Sequence, residues 1–313
     1  MAITFSEYLQ NIRASKGVTQ QEVLDFLIEG NDVFSKLDLT TYSRWERGVT
    51  KPKLSKQILA ARLLGSDIME LLDIETNNSK IEANLLAYVI SKSRNHYTQD
   101  SKEFEMNHYE SLAEQTELSE QLETFHSDYL NINFNSEIIQ KSQLKLDTFH
   151  DASGQLVGHL LYGFVDSNVD ISLISPNNLE NCPFINKEEC SDKGCKGRSV
   201  SMYIVSAYSS LSATRMTILL LLLERIKETH CTRDFYVNCH DQDGFTLFDK
   251  NSDHQVINKG RIVESGGIRL YGKNYKFLQL KLSSESLLAS DLVKYLFSLY
   301  KNGFDELLDD TVG

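Results

Sequence analysis

With 313 residues, 41% hydrophobic and 24% charged, the chain has room for two packed domains and the make-up of an ordinary globular protein. Its 32 Lys and Arg against 44 Asp and Glu, a net charge of −12, exclude a surface that coats nucleic acid indiscriminately. The most apolar run, Met216 to Leu223, is too short to cross a bilayer, and MAITFSEYLQN lacks the basic region and apolar core of a leader. A cytoplasmic protein with no membrane partner and five reduced cysteines is expected.

Phe5, Leu9 and Ile12 supply the apolar face of a first helix, which Gly17 ends. Thr19-Gln20 opens a second, where Thr19 and Glu22 form a capping box. Asp38 is a good N-cap for a third helix, Leu39 to Arg47, closed by Gly48. Helical spacing gathers Tyr42 and Trp45 on one side and leaves Thr40, Thr41, Ser43 and Arg44 elsewhere around it. From Arg44 to Arg62 there are six cations and one acid, Glu46. Such a stretch reads either as a solvated basic face or as a helix whose hydroxyls and guanidinium reach base edges while cations meet phosphates.

LTTYSRWERGVTKP resembles the λ-repressor-like (XRE-type) helix-turn-helix family through Ser43, Arg44, Trp45, Glu46, Gly48 and Pro52. The likeness extends over about residues 5 to 74, with ILAARLLGSDIMELL matching the last two helices. It departs in IEGNDVFSKL, which makes the connection before the third helix longer than the family's tight turn. The resemblance implies an all-α DNA-binding domain over residues 1–75 and double-stranded DNA as partner. Thr40, Thr41, Ser43, Arg44, Lys51 and Lys53 would meet the DNA, and Thr19 and Gln20 would touch its backbone. A homodimer is expected, because one such helix reads only a short half-site.

Thr76-Asn77-Asn78-Ser79 is a polar break. A linker helix over residues 76–99 follows, with Ile81, Leu85, Tyr88 and Val89 on one face. Residues 100 to 128 carry nine acids and one lysine, and Leu118, Leu122, Phe125 and Tyr129 repeat at helical spacing. The acidic face is either solvated or a mimic of DNA that blocks the first domain. From Leu144 the texture turns to strands. LKLDTFHD and LVGHLLYGFVD make a hairpin over Ala152–Gln155, VDISLIS continues it, and VSMYIVS resumes after a loop from Pro176 to Arg198. RMTILLLLLERIKETH is apolar nearly all round and should be buried on more than one side. RDFYVNCHD reads as a strand, GFTLFDKN as a short helix and IRLYGKNYKFLQLKL as a closing hairpin over Gly272-Lys273-Asn274. A last helix, Ser284 to Lys301, places Leu288, Leu292, Tyr295 and Leu299 on a docking or dimer face.

This order of two helices, strands, an apolar helix, a strand, a short helix and a hairpin resembles the GNAT family of N-acetyltransferases over about residues 100 to 282. The expected architecture is thus multidomain α and α/β. An all-α helix-turn-helix domain is followed at 100–313 by a mixed-sheet GNAT-like domain with an extra C-terminal helix. The resemblance implies an acyl-CoA site where VSMYIVS meets the next helix, at Tyr203, Ile204, Val205, Ser209, Ser210, Ser212, Thr214 and Arg215. The family's pyrophosphate loop carries a cation and glycines that let backbone N–H groups approach the phosphates. Here that stretch reads Ser209-Ser210-Leu211-Ser212-Ala213-Thr214, with neither, and Arg215 is the nearest charge. Phe248 stands where the family often has a tyrosine that protonates the leaving thiolate. Both departures favour a domain without catalytic residues that senses a small-molecule or protein effector. An active DNA-targeted acetyltransferase using acetyl-CoA and an antitoxin-like interaction module are the competing readings. Cys182, Cys190 and Cys195 share one loop at spacings outside the standard zinc patterns. They read as free thiols, as a redox pair, or as metal ligands completed by Cys231, Cys239, His230 or His240.

Overall fold

A computed structural model describes residues 3–65, 104–130, 132, 135–141, 143–186, 199–228 and 232–299. The linker helix expected at 76–99 lies outside them. Four helices come first: α1 (Phe5–Lys16), α2 (Gln20–Gly30), α3 (Leu39–Glu46) and α4 (Leu54–Leu63). Capping boxes Thr4–Glu7 and Thr19–Glu22 open the first two, and Asp38 accepts from the Thr41 N–H to open α3. Gly17 and Gly48 take left-handed backbone (φ +63° and +71°) just past α1 and α3, the conformation that stops a helix there. The long connection between α2 and α3 is not loose. Asn31 caps a 3-10 turn, Asp32–Phe34, which drives Phe34 fully into the core beside Leu37.

The remainder is built on a seven-stranded mixed sheet. Its strands are β1 (Phe104–Tyr109), β2 (Lys145–Asp151), β3 (Leu156–Asp166), β4 (Val200–Ser209), β5 (Thr232–Cys239), β6 (His254–Lys259) and β10 (Leu278–Ser283). Their order is β1-β2-β3-β4-β5-β10-β6, and every pair is antiparallel except β4–β5. Between them run α5 (Thr116–Thr124), which continues as a π-turn over Phe125–Leu130, α6 (Ser136–Lys141), α7 (Ser212–Glu228) and α8 (Gln242–Asn251). A small second sheet of β7 (Ile262–Val263), β8 (Ile268–Leu270) and β9 (Lys273–Tyr275) is inserted before β10, and α9 (Ser284–Leu288) and α10 (Asp291–Leu299) close the chain. This is the mixed α/β arrangement that the GNAT resemblance implies.

Strand β3 lies between two apolar layers. Leu160, Tyr162 and Phe164 face the layer shared with α7, α9 and the N-terminal helices, while Leu161 and Val165 face the one under α5 and α6. Alternation therefore vanishes, and the strand reads as one apolar run. Helix α7 buries Ile218 through Leu223 and Ile226, which accounts for its lack of a polar stripe.

Several expectations need correction. Phe104–Tyr109 is an edge strand inside the run read only as acidic. Ile171–Ile174 is a 3-10 turn, because the Asp170 carboxylate accepts from the Ser172 N–H and turns the chain. The hairpin read at the C-terminal end is divided: β9 pairs with β7 and β8, whereas β10 enters the main sheet between β5 and β6. The last helix breaks at Ala289–Ser290. Leu288, Leu292 and Tyr295 are buried in this chain's own core, so those three positions are used internally; the Leu299 side chain lies outside what is described. Arg62, counted with the basic face of α3, is also buried and belongs to the contact between α4 and α9.

Candidate functional site

Two surfaces carry the residues singled out above. On α3, Thr40 and Arg44 are exposed one helical turn apart, and Arg47 continues the stripe. Lys51 and Lys53 follow, also exposed, while Ser43 is half-buried. Thr41 is half-buried with its hydroxyl on Asp38 Oδ2 at 3.1 Å. The opposite side of α3 is locked. Tyr42 and Trp45 are buried, and Trp45 packs against Phe5 with ring centroids 6.3 Å apart. Lys56 is engaged too: its ammonium donates to the Val33 carbonyl at 3.1 Å and lies over the Phe34 and Trp45 rings.

Glu46 is the hub of this unit. Its carboxylate, buried at 2% exposure, accepts from Arg13 Nε at 2.8 Å and Gln20 Nε2 at 2.6 Å. Its carbonyl accepts from Ser6 Oγ at 2.5 Å and Gln10 Nε2 at 2.7 Å. One acid thus ties α1 and α2 to the end of α3, and every donor helps to offset the cost of burying it. Gln20 spends its amide on this hub, and the Thr19 hydroxyl is spent on the Glu22 cap.

The second surface is a cleft on the main sheet. Strands β4 and β5 run in parallel register to Ile204↔Val237 and then separate. Beyond that point Asn238 Nδ2 reaches the Val205 carbonyl at 2.9 Å and the Tyr203 hydroxyl at 3.1 Å, so a side chain takes the place of the interrupted ladder. The strands diverge around a cavity of about 70 Å3, walled by Ser206–Ser209, Asn238–Asp241, Arg215 and Phe248. Phe125 and Tyr129 of the π-turn also line it. The Phe125 ring centroid lies 5.2 Å from those of Tyr129 and Tyr208 and 4.7 Å from that of His159, which bonds to Ser206 Oγ at 2.9 Å. Burial holds the His126 and His159 imidazoles neutral, with pKa values lowered to about 4 and about 3.

The residues expected to form an acyl-CoA site divide on this frame. Ser209 and Arg215 line the cleft, whereas Tyr203, Ile204 and Val205 are core residues behind it. The hydroxyls of Ser209, Ser210 and Thr214 are engaged by this chain's own groups. Ser209 Oγ bonds to Thr214 Oγ1 and accepts from the Leu211 N–H, and Ser210 Oγ donates to the Val157 carbonyl. A backbone N–H that an open loop would offer to a phosphate is therefore taken. Phe248 sits at the cleft wall against Phe235 and has no proton to give. Phe125, Tyr129, Tyr208 and Asn238 were not singled out by sequence reasoning as a site. The aromatic pair looked like one face of an amphipathic helix, and the role of Asn238 exists only where two strands part.

Cys182 is half-buried and Cys239 buried, both as free thiols, and burial pushes the Cys182 pKa up to about 12. Cys190 and Cys195 lie outside the described residues. Among the described residues no cluster of three metal-ligating side chains occurs, and no helix is long and apolar enough to cross a membrane.

No family model and no curated protein matches the chain. Solved structures with a similar course include Arabidopsis thaliana NAA60 in complex with acetyl-CoA, at 12% identity and a TM-score of 0.35 over 57% of this chain and 98% of that one. The AHL synthase LasI is similar at 11% identity and a TM-score of 0.33 over 60% and 93%. TofI in a ternary complex with an inhibitor and MTA follows at 12% and 0.30 over 61% and 99%. Likenesses at this level supply no inference about chemistry.

Proposed function

We propose that the chain is a sequence-specific DNA-binding regulator, acting as a homodimer, whose GNAT-like part transmits a signal and does not catalyse acyl transfer. One observation carries this reading. The exposed stripe Thr40, Arg44 and Arg47, followed by Lys51 and Lys53, stands on a helix whose other side is fixed by the Glu46 hub. A helix that reads base edges needs such a rigid mount, since a guanidinium must meet its acceptor within a fraction of an ångström. Selection from a pool of randomised duplexes tests it. A preferred sequence should emerge, and Arg44→Ala should weaken binding to that sequence much more than to random DNA. A pool that returns no preference would remove the reading.

The parting of β4 and β5 favours a second reading, an acyl-CoA-dependent transferase, because a linear ligand carrying amides has polar backbone to meet there. Against it stand the size of the cavity, small beside the roughly 300 Å3 or more of ordinary ligand sites, the engaged loop hydroxyls and Phe248. Calorimetry with acetyl-CoA and an assay for released thiol separate the two. Binding without turnover supports a sensor; turnover would restore the enzyme.

A further inference from the structure

After residue 75 the chain carries 23 Lys and Arg against 33 Asp and Glu, yet the small inserted sheet runs against that composition. Residues 259–276 carry five cations and one acid. Lys259, Arg261, Arg269 and Lys273 are exposed, and only Lys276 is turned inward, onto the Tyr129 carbonyl. At the tip of the hairpin, Leu270 pairs with Lys273, which leaves a two-residue turn of Tyr271 and Gly272 with φ +50° and +79°. Turns with both central residues left-handed favour Asn, Asp or Gly at the first position, where a side chain carries the least penalty. Here the position holds a tyrosine that is 90% exposed. Among the described residues no apolar packing accounts for an aromatic ring there. Lys259 Nζ stands 6.0 Å from the Tyr271 ring centroid and 5.6 Å from that of Tyr275, which keeps a cation beside the projecting ring. The base of the hairpin is rigid: Ile268 is fully buried, and the Arg269 N–H donates to Gln242 Oε1 at 2.8 Å.

We infer that this hairpin is a second DNA contact, sequence-independent, in which Tyr271 lies against the groove and Lys259, Arg261, Arg269 and Lys273 meet phosphates. Interleaved aromatic and cationic residues on a projecting ribbon suit a polyanion with stacked rings, and two-stranded ribbons fit duplex grooves. The choice of duplex DNA rests on the reading of α3 as a DNA contact; the charge and exposure of the hairpin do not.

The experiment is a salt titration of the full chain on a fluorescent random-sequence duplex, with a single-stranded oligonucleotide in parallel. Arg269→Ala with Lys273→Ala should lower the slope of log K against log salt by about 2, since each lost phosphate contact removes about 0.9. Tyr271→Asn suits the left-handed backbone, so it should fold as the parent does, yet bind the duplex more weakly with an unchanged slope, because a neutral residue is lost and no phosphate contact. Both losses should persist in Arg44→Ala. Losses that persist although Arg44→Ala leaves sequence preference untouched would uphold the hairpin while removing α3. Unchanged slope and affinity in both hairpin variants would overturn the inference whatever α3 does. So would losses confined to the single strand, or a parent chain that binds no duplex.

Discussion

Arg62 and Glu285 meet at 2.8 Å across 223 residues of sequence, with the Arg62 side chain wholly out of solvent. The same guanidinium donates from Nη2 to the Ile226 carbonyl in the last turn of α7 at 2.9 Å, and Arg233 stands 3.6 Å from the Glu285 carboxylate. One residue of α4 therefore touches both α9, which follows the closing strand, and the far end of the helix that begins at the cleft. Removing one partner strands a buried charge, so Arg62→Ala should destabilise the protein by about 3–5 kcal/mol. Arg62→Met together with Glu285→Leu and Arg233→Met, which replaces all three charges, should recover most of that loss. Urea unfolding of the two variants checks it, and a triple variant as weak as the single one would contradict it.

Acid should weaken the fold through the two histidines behind the cleft. His126 and His159 are held near pKa 4 and 3 in the folded chain, against about 6.5 when unfolded. The stability they contribute is complete above about 6.5 and is lost as pH falls through those lower values. His108 works in the opposite direction. Its hydrogen bond to Asp147 at 2.6 Å, helped by Glu110, raises its pKa, so its share is complete below about 6.5 and fades as pH rises through the raised value. Urea midpoints from pH 5 to 8 should fall on the acid side, and His159→Gln should flatten that fall. Equal acid slopes in parent and variant would refute the assignment.

Phe34→Ala should cost about 3–5 kcal/mol, the usual result of emptying a fully buried aromatic site. Chemical denaturation measures it directly. A cost below about 1 kcal/mol would mean that the connection is a surface loop after all.

The rings lining the cleft give a further test. Phe125→Ala with Tyr129→Ala removes two of the rings that line the cavity and enlarges it. If those rings obstruct it, acetyl-CoA should give more heat in calorimetry with the double variant than with the parent. Equal heats would show that the rings leave the site accessible.

Local chemistry was legible in the sequence, and distant chemistry was not. Asp38, Gly48 and the Thr19–Glu22 pair announced their helices because each acts within four residues of itself. Arg62 read as a surface cation because its counter-charge lies at the other end of the chain. Phe104–Tyr109 was hidden as an edge strand, where only Phe104 is fully buried and acidic neighbours outweigh a weak alternation. Ile171–Ile174 has the composition of a strand, but the single carboxylate of Asp170 redirects it. The mixed α/β class survived these errors, although β1 and β6 were missed from the element order, because it depends on long segments, such as α7, whose burial is unmistakable.

Phe34 has one more implication. A connector whose central side chain is part of the core cannot serve as a hinge. Helices α2 and α3 share that ring's surroundings and the Glu46 clasp, so they turn as a single solid piece. Any adjustment of how α3 is presented must therefore carry α2 with it, and cannot come from opening the angle between the two helices.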